Sequence, residues 1–165
     1  LLIVEALRAA GASKIYAVEL SPERQAKAEE LGAIVVRPEE GETVVEAIHR
    51  LTGGGADVSY EVTGVPVVLG QALAAVHNAG ECMVVSIWER EASINPNEFA
   101  IQEKSLKGII AYRHIFPKVL ELMEQGYFPA DKLVTKKIKL ENIVEEGFVE
   151  LTQDKSQIKI LVQPE

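Results

Sequence analysis

Ile15-Tyr16-Ala17-Val18 is an apolar run that ends in a single carboxylate, Glu19, and is followed at once by Ser21-Pro22-Glu23-Arg24. Ser21 has the side chain of a helix N-cap, and Pro22 has the fixed φ suited to a first helical position. A parallel strand buried on both faces reads as a continuous hydrophobic stretch. A charge at its carboxyl end therefore faces the crevice where open α/β sheets bind ligands. A carboxylate there accepts hydrogen bonds from both hydroxyls of a dinucleotide's adenosine ribose and repels the extra phosphate of NADP, so Glu19 argues for NAD.

A second junction of this kind is Val62-Thr63-Gly64-Val65-Pro66, which passes from a strand's carboxyl end into a helix. Gly64 lets the main chain approach a ligand. Thr63 either hydrogen-bonds a cofactor ribose or caps the following helix, and spacing leaves both open. The buried strand Gly80 to Ile87, ending in Trp88 and Glu89, and a last apolar run, Leu106 to Tyr112, should deliver their ends to the same crevice.

The glycine-rich phosphate turn that accompanies such an acid, G-x-G-x-x-G about 20 residues upstream, is not found. Counting back from Glu19 lands at or before Leu1. The opening Leu1 to Gly11 instead has helical apolar spacing with a glycine stop. We expect a first helix whose preceding strand and phosphate loop lie upstream. The alternative is an amphipathic starter helix of a complete protein.

The remaining elements must position these ends, and strand and helix patterns alternate throughout. We expect a helix from Pro22 to Leu31, a strand at Ala33–Val36 and a helix carrying Val44, Ile48 and Leu51. A strand at Asp57–Val62, a helix from Pro66 to about His77 and a helix from Phe116 to Glu124 complete the series. Gly53-Gly54-Gly55 follows a helix and precedes a strand, the reverse of a phosphate loop, and reads as a flexible turn. The fold class is α/β, a Rossmann-like doubly wound parallel sheet with a short α+β tail. The tail begins near Pro129-Ala130-Asp131. It holds a lysine-rich strand from Lys132 to Leu140, an amphipathic helix with Ile143, Val144, Gly147, Phe148 and Leu151, and an alternating strand with Ile158, Ile160 and Val162.

The chain has 165 residues, 47% hydrophobic, with a net charge of -8, and it suits one domain or one domain with an appendage. Lys136, Lys137 and Lys139 are too few for a nucleic-acid footprint. Cys82, the single cysteine, excludes an intramolecular disulfide and reads as a buried small hydrophobe in a reducing cytoplasm. His49, His77 and His114 lack metal-ligand spacing and read as surface helix or turn residues. No stretch approaches the roughly 18 apolar residues of a membrane span, so a soluble chain is expected.

Val18 to Arg24, Ala28 to Ala33, Tyr60 to Val65, Val85 to Glu89, Ile94 to Asn97 and Lys107-Gly108 together resemble the cofactor-binding half of the zinc-containing medium-chain alcohol dehydrogenases. The resemblance covers essentially the whole chain and is strongest to the butanediol and sorbitol dehydrogenase branch. It implies that Glu19 holds the adenosine ribose and that Arg24 flanks the adenine. It further implies that Thr63 and Gly64 form the turn beside the cofactor. By the same resemblance, the backbone at Val85, Ser86 and Ile87 meets the nicotinamide amide, with Ile109 to Ala111 as a second backbone segment.

The family's zinc ligands and phosphate turn lie upstream of any residue here. The resemblance therefore implies residues 1–130 as an incomplete dinucleotide-binding domain and 131–165 as the return segment of a catalytic domain. In the full protein, NAD and zinc would serve oxidation of a small alcohol or polyol, with this chain alone inactive and its tail strands without partners. The family also implies a homo-oligomer, paired through the last strand near Ser105 to Tyr112. A non-catalytic dinucleotide-sensing domain and an S-adenosylmethionine-dependent methyltransferase are the rival readings. The first has no need of the tail, and the second normally ends its sheet in an antiparallel hairpin that the sequence does not suggest.

Overall fold

A computed structural model of the chain describes residues 1–154 and 156–164. In chain order the elements begin α1 (Leu2–Ala9), β1 (Tyr16–Ala17), α2 (Pro22–Glu30), β2 (Ile34–Val35) and α3 (Val44–Thr52). They continue β3 (Ala56–Glu61), α4 (Pro66–Ala74), β4 (Val76–Val84), α5 (Pro96–Gln102) and β5 (Ser105–Gly108). The last are α6 (Phe116–Glu124), α7 (Ala130–Leu133), β6 (Val134–Lys139), a π-helix at Ile143–Val149, α8 (Glu150–Gln153) and β7 (Lys159–Gln163). The fold is α/β with every strand pairing parallel.

The chain divides into two compact units, Leu1–Val35 with His114–Glu165, and Val36–Arg113. In the first, β1 pairs with β2, joined by α2. Its core gathers Val4, Ile15, Ala28, Leu31, Ala33, Val35 and Leu133, with Phe128 and Ile158 packed against it. Ser21 caps α2 by accepting the Arg24 N–H, and Pro22 occupies its first turn, as their types require.

The second unit holds a three-stranded sheet in the order β3-β4-β5, with α4 and α5 as its crossovers. Leu69, Leu73 and Cys82 are buried together against Ala72, Val84, Trp88, Ala92, Phe99 and Leu106. Thr43 and Glu46 form a reciprocal capping box that starts α3, and Gly53 ends it in the left-handed region at φ 78°.

Four expectations need correction. β1 spans only two residues, and Val18 is exposed rather than buried on both faces. Among the described residues β1 has a hydrogen-bonded neighbour on one side only, so nothing covers the far end of the run. The hydrogen-bonded strand orders are β1-β2, β3-β4-β5 and β6-β7.

The helix expected to reach His77 stops at Ala74, and His77 lies in β4. Gly55 explains why: a Cβ there would stand 2.4 Å from the His77 nitrogen, so this glycine is a close backbone contact and not only a flexible turn. Finally, the tail strands do not lack partners, because β6 and β7 pair in parallel with each other.

Candidate functional site

Glu19 stands two residues beyond β1, in the first unit, and is half-buried. Its Oε1 accepts the N–H of Leu20 at 2.7 Å and of Ser21 at 2.9 Å, while its main-chain carbonyl accepts Gln25 Nε2 at 2.7 Å. The turn into α2 is thus wrapped around one carboxylate oxygen. Oε2 accepts no hydrogen bond from the described residues. Arg24, in the first turn of α2, is exposed.

In the second unit the carboxyl ends of β3, β4 and β5 come together around a different acid. Glu61, the last residue of β3, is 0% exposed. Its Oε1 accepts the Thr63 N–H at 2.7 Å, the Thr63 hydroxyl at 2.6 Å and the Gly64 N–H at 3.0 Å. Its Oε2 accepts the hydroxyl of Ser86, just beyond β4. Burial alone would raise the Glu61 pKa, but the Ser86 and Thr63 hydroxyls and the Thr63 and Gly64 amides together hold it below the ordinary carboxylate value.

The same ends are tied through the main chain. Val85 N–H donates to the Glu61 carbonyl at 2.9 Å and Ile109 N–H to the Val84 carbonyl at 3.1 Å. Gly64 sits at φ 70°, and a Cβ there would lie 3.0 Å from the Ile87 carbonyl oxygen, so the turn after β3 and the exit from β4 touch through a glycine face.

Of the expected residues, Thr63, Gly64, Val85, Ser86, Ile87 and Ile109 are therefore brought to one edge of one sheet. Ala111 is exposed in the turn beyond Ile109. Glu19 and Arg24 belong to the other unit. The Thr63 hydroxyl donates to Glu61 and accepts the Val65 N–H at 3.2 Å, which shapes the turn, while α4 starts at Val65 without a side-chain cap.

Glu61 is the residue that sequence reasoning missed. Its signal was present: an acid at the carboxyl end of an apolar run, two residues before Thr-Gly.

A groove of about 470 Å³ lies at the opposite, amino ends of β3 to β5, lined by His49, Ala74, His77 and Lys104 among others. Two of its polar side chains are engaged within the fold, His49 Nε2 donating to the Ala74 carbonyl at 2.9 Å and Lys104 Nζ to the Leu73 carbonyl at 2.8 Å. Ligands of open α/β sheets bind at the carboxyl ends, and the Glu61 cluster is the better candidate. No group of three or more His, Cys, Asp or Glu among the described residues could hold a metal ion, and Cys82 is fully buried. The described residues therefore do not fit a zinc centre. No helix among them is long and apolar enough to cross a membrane.

Residues 1–125 match the sequence profile of the zinc-binding dehydrogenases. The chain is 63% identical over 164 residues to the (R,R)-butanediol dehydrogenase of Bacillus subtilis (strain 168), an alignment spanning 99% of this chain and 47% of the relative. It is 36% identical to the (R,R)-butanediol dehydrogenase of Neisseria gonorrhoeae, again over 99% of this chain and 47% of the relative. The crystal structure of the 2R,3R-butanediol dehydrogenase of Bacillus subtilis superposes with a TM-score of 0.94 at 62% identity, covering 99% of this chain and 47% of that one. The chain thus spans about half the length of the relatives it matches, and it belongs to the zinc-binding dehydrogenase family.

Proposed function

We propose that this chain is the cofactor-binding portion of an NAD-dependent, zinc-dependent alcohol or polyol dehydrogenase of the 2,3-butanediol type. The observation that carries the reading is the strand-end assembly in which Thr63, Gly64, Ser86 and Ile87 meet over Glu61. The 63% identity to a butanediol dehydrogenase supports the substrate class. Residues 1–130 contribute the dinucleotide-binding domain, and 131–165 the return segment of the catalytic domain.

In this reading the Glu19 carboxylate, with Oε2 directed to no described donor, accepts the hydroxyls of the adenosine ribose, and Arg24 flanks the adenine. Thr63 and Gly64, the main chain of Val85 to Ile87, and Ile109 to Ala111 hold the nicotinamide end. The nicotinamide, when bound, accepts a hydride from the alcohol carbon. What this chain contributes is orientation, which lowers the barrier of a two-substrate reaction by holding one partner in place. The zinc ligands belong to other parts of the enzyme, and no step of the chemistry runs through a metal held by the described residues.

We further infer a homo-oligomer. β5 is an outer strand of its sheet, and the exposed Ile109, Ile110 and Tyr112 follow it. A cytoplasmic setting accords with the free, buried Cys82.

Calorimetric titration of the full-length enzyme with NAD, NADP and S-adenosylmethionine, paired with turnover of 2,3-butanediol and sorbitol, tests the reading. NAD binding with diol oxidation is the expected result. Binding of S-adenosylmethionine in place of NAD, or tight NAD binding without turnover of either alcohol, would overturn it. Sedimentation at micromolar concentration should give a dimer or larger species, and a monomer across that range would remove the oligomer.

A further inference from the structure

We propose that Glu61 is a positioning residue for the cofactor: it never touches the ligand, but fastens the Thr63-Gly64 turn and the Ser86-Ile87 exit into one rigid binding edge. The inference rests on the NAD-binding reading above and adds to it a residue with no assigned role.

Three features separate Glu61 from an ordinary structural acid. The first is its set of partners. All the donors it satisfies, the Thr63 amide and hydroxyl, the Gly64 amide and the Ser86 hydroxyl, come from the two connections that leave the carboxyl ends of β3 and β4. An acid serving only the core would draw on the helices packed behind the sheet. A single carboxylate instead bridges the two connections, the first held on Oε1 with a longer 3.3 Å approach of the Gly64 N–H to Oε2 and the second on Oε2, so neither can shift without breaking a charge-assisted hydrogen bond.

The second feature is saturation. Glu61 is 0% exposed and each oxygen is occupied, so it has neither the access nor the spare capacity to bind a ligand itself. The third is the direction in which the turn's donors are spent. The N–H groups of Thr63 and Gly64 donate to Glu61 and that of Val65 to the Thr63 hydroxyl. Three consecutive amides are thus spent on acceptors of the turn and its acid, and the turn is no nest for an anion such as a phosphate. Gly64 instead lets the turn pack directly on the Ile87 carbonyl, whose oxygen lies 3.0 Å from where a Cβ would stand.

The test uses the full-length enzyme. Glu61→Gln keeps the shape but replaces one acceptor oxygen by a donor group, which cannot accept from the opposing hydroxyls. KM for NAD should rise about tenfold or more, the scale of one lost charge-assisted hydrogen bond, and kcat should fall with it as the nicotinamide end is held less firmly, while KM for the diol stays within about threefold. Ser86→Ala removes a single strut and should raise KM for NAD by a smaller factor. The double variant should be no weaker for NAD than Glu61→Gln alone, because both changes cut the same link.

An unchanged KM for NAD in a folded Glu61→Gln enzyme would overturn the proposal. So would a parallel change in kcat and both KM values, which marks a general structural fault. Should Glu61→Gln fail to fold, Ser86→Ala decides, and an unaltered KM for NAD in that variant overturns the proposal equally. Wild-type enzyme that does not bind NAD at all would instead overturn the underlying reading, a result visible before any variant is made.

Discussion

Two glutamates stand at or just beyond the carboxyl ends of two parallel strands in this molecule, and each accepts the backbone N–H groups of the turn that follows, yet their surroundings set them to different work. Glu19 is half-buried, uses one oxygen for Leu20 and Ser21, and keeps Oε2 without a described donor. Glu61 is fully buried and accepts from two connections at once. The comparison teaches that a strand-end acid can serve a ligand only where local geometry leaves it spare hydrogen-bonding capacity, which on the proposed reading is the case of Glu19. Glu61 is the last residue of its strand, whereas Glu19 stands two residues beyond β1, and only Glu61 has a second strand end, that of β4, close enough to donate to it through Ser86.

The largest effect should come from breaking that asymmetry on the buried side. Glu61→Ala strands two amides and two hydroxyls and should destabilise the fold by about 3 kcal/mol or more. Glu19→Ala exposes its two amides to water and should cost less than about 1 kcal/mol. Denaturant unfolding of the two variants beside the parent gives both numbers. Equal losses would erase the distinction between scaffold and ligand group.

The next effect reverses the ranking by changing the observable. Glu19→Ala or Glu19→Ser should weaken NAD binding by about 1 to 3 kcal/mol and narrow the preference over NADP, since the charge-assisted bonds to the ribose are lost along with the repulsion of a phosphate. Cofactor titrations read this directly. Unchanged affinity for both cofactors would take Glu19 out of the site.

Gly64→Ala sharpens the comparison from the backbone side. The residue would be held at φ 70°, and its Cβ would meet the Ile87 carbonyl oxygen at 3.0 Å, tighter than ordinary van der Waals contact. A cost of about 1 to 2 kcal/mol is expected from the left-handed conformation, with the β3 turn pushed off the β4 exit. Gly11→Ala shares the positive φ, at 84°, but its Cβ would meet nothing within 4 Å, and it serves as the control. A NAD KM raised by Gly64→Ala and not by Gly11→Ala isolates the close approach from the strain.

Much of this was legible in the sequence, and the exceptions have physical reasons. The Ser21-Pro22 start of α2 was readable because capping acts within a few residues. Likewise local was the stop of α6 before Gly126, which takes φ 89°. The start of β4 was not readable. Ala75-Val76-His77 continues an apolar helical pattern, and only the approach of Gly55 to the His77 backbone, from a loop more than twenty residues earlier, marks the change. The length of β1 failed for the same reason, because burial of Val18 depends on neighbours that no local pattern encodes. Glu61 was visible as a residue and invisible as a role, since its decisive partner, Ser86, lies 25 positions away.

The smallest effect is in the acid range. The pKa of Glu61 is lowered on folding, so the stability it adds is complete above the unfolded carboxylate pKa of about 4.3 and is lost as pH falls through the lower folded value. Glu23, Glu30, Glu42 and Asp154 are lowered as well, Glu42 to about 2 by its bond to Arg50, and they too withdraw stability on acidification. These acids are common to the parent and to Glu61→Gln, and they cancel in the difference between the two. The stability gap between parent and Glu61→Gln should therefore be constant from pH 8 to about 5 and narrow below about 4, where the parent's Glu61 takes up its proton. If the Glu61→Gln gap is flat down to the acid transition, the carboxylate is not held ionised by its four donors.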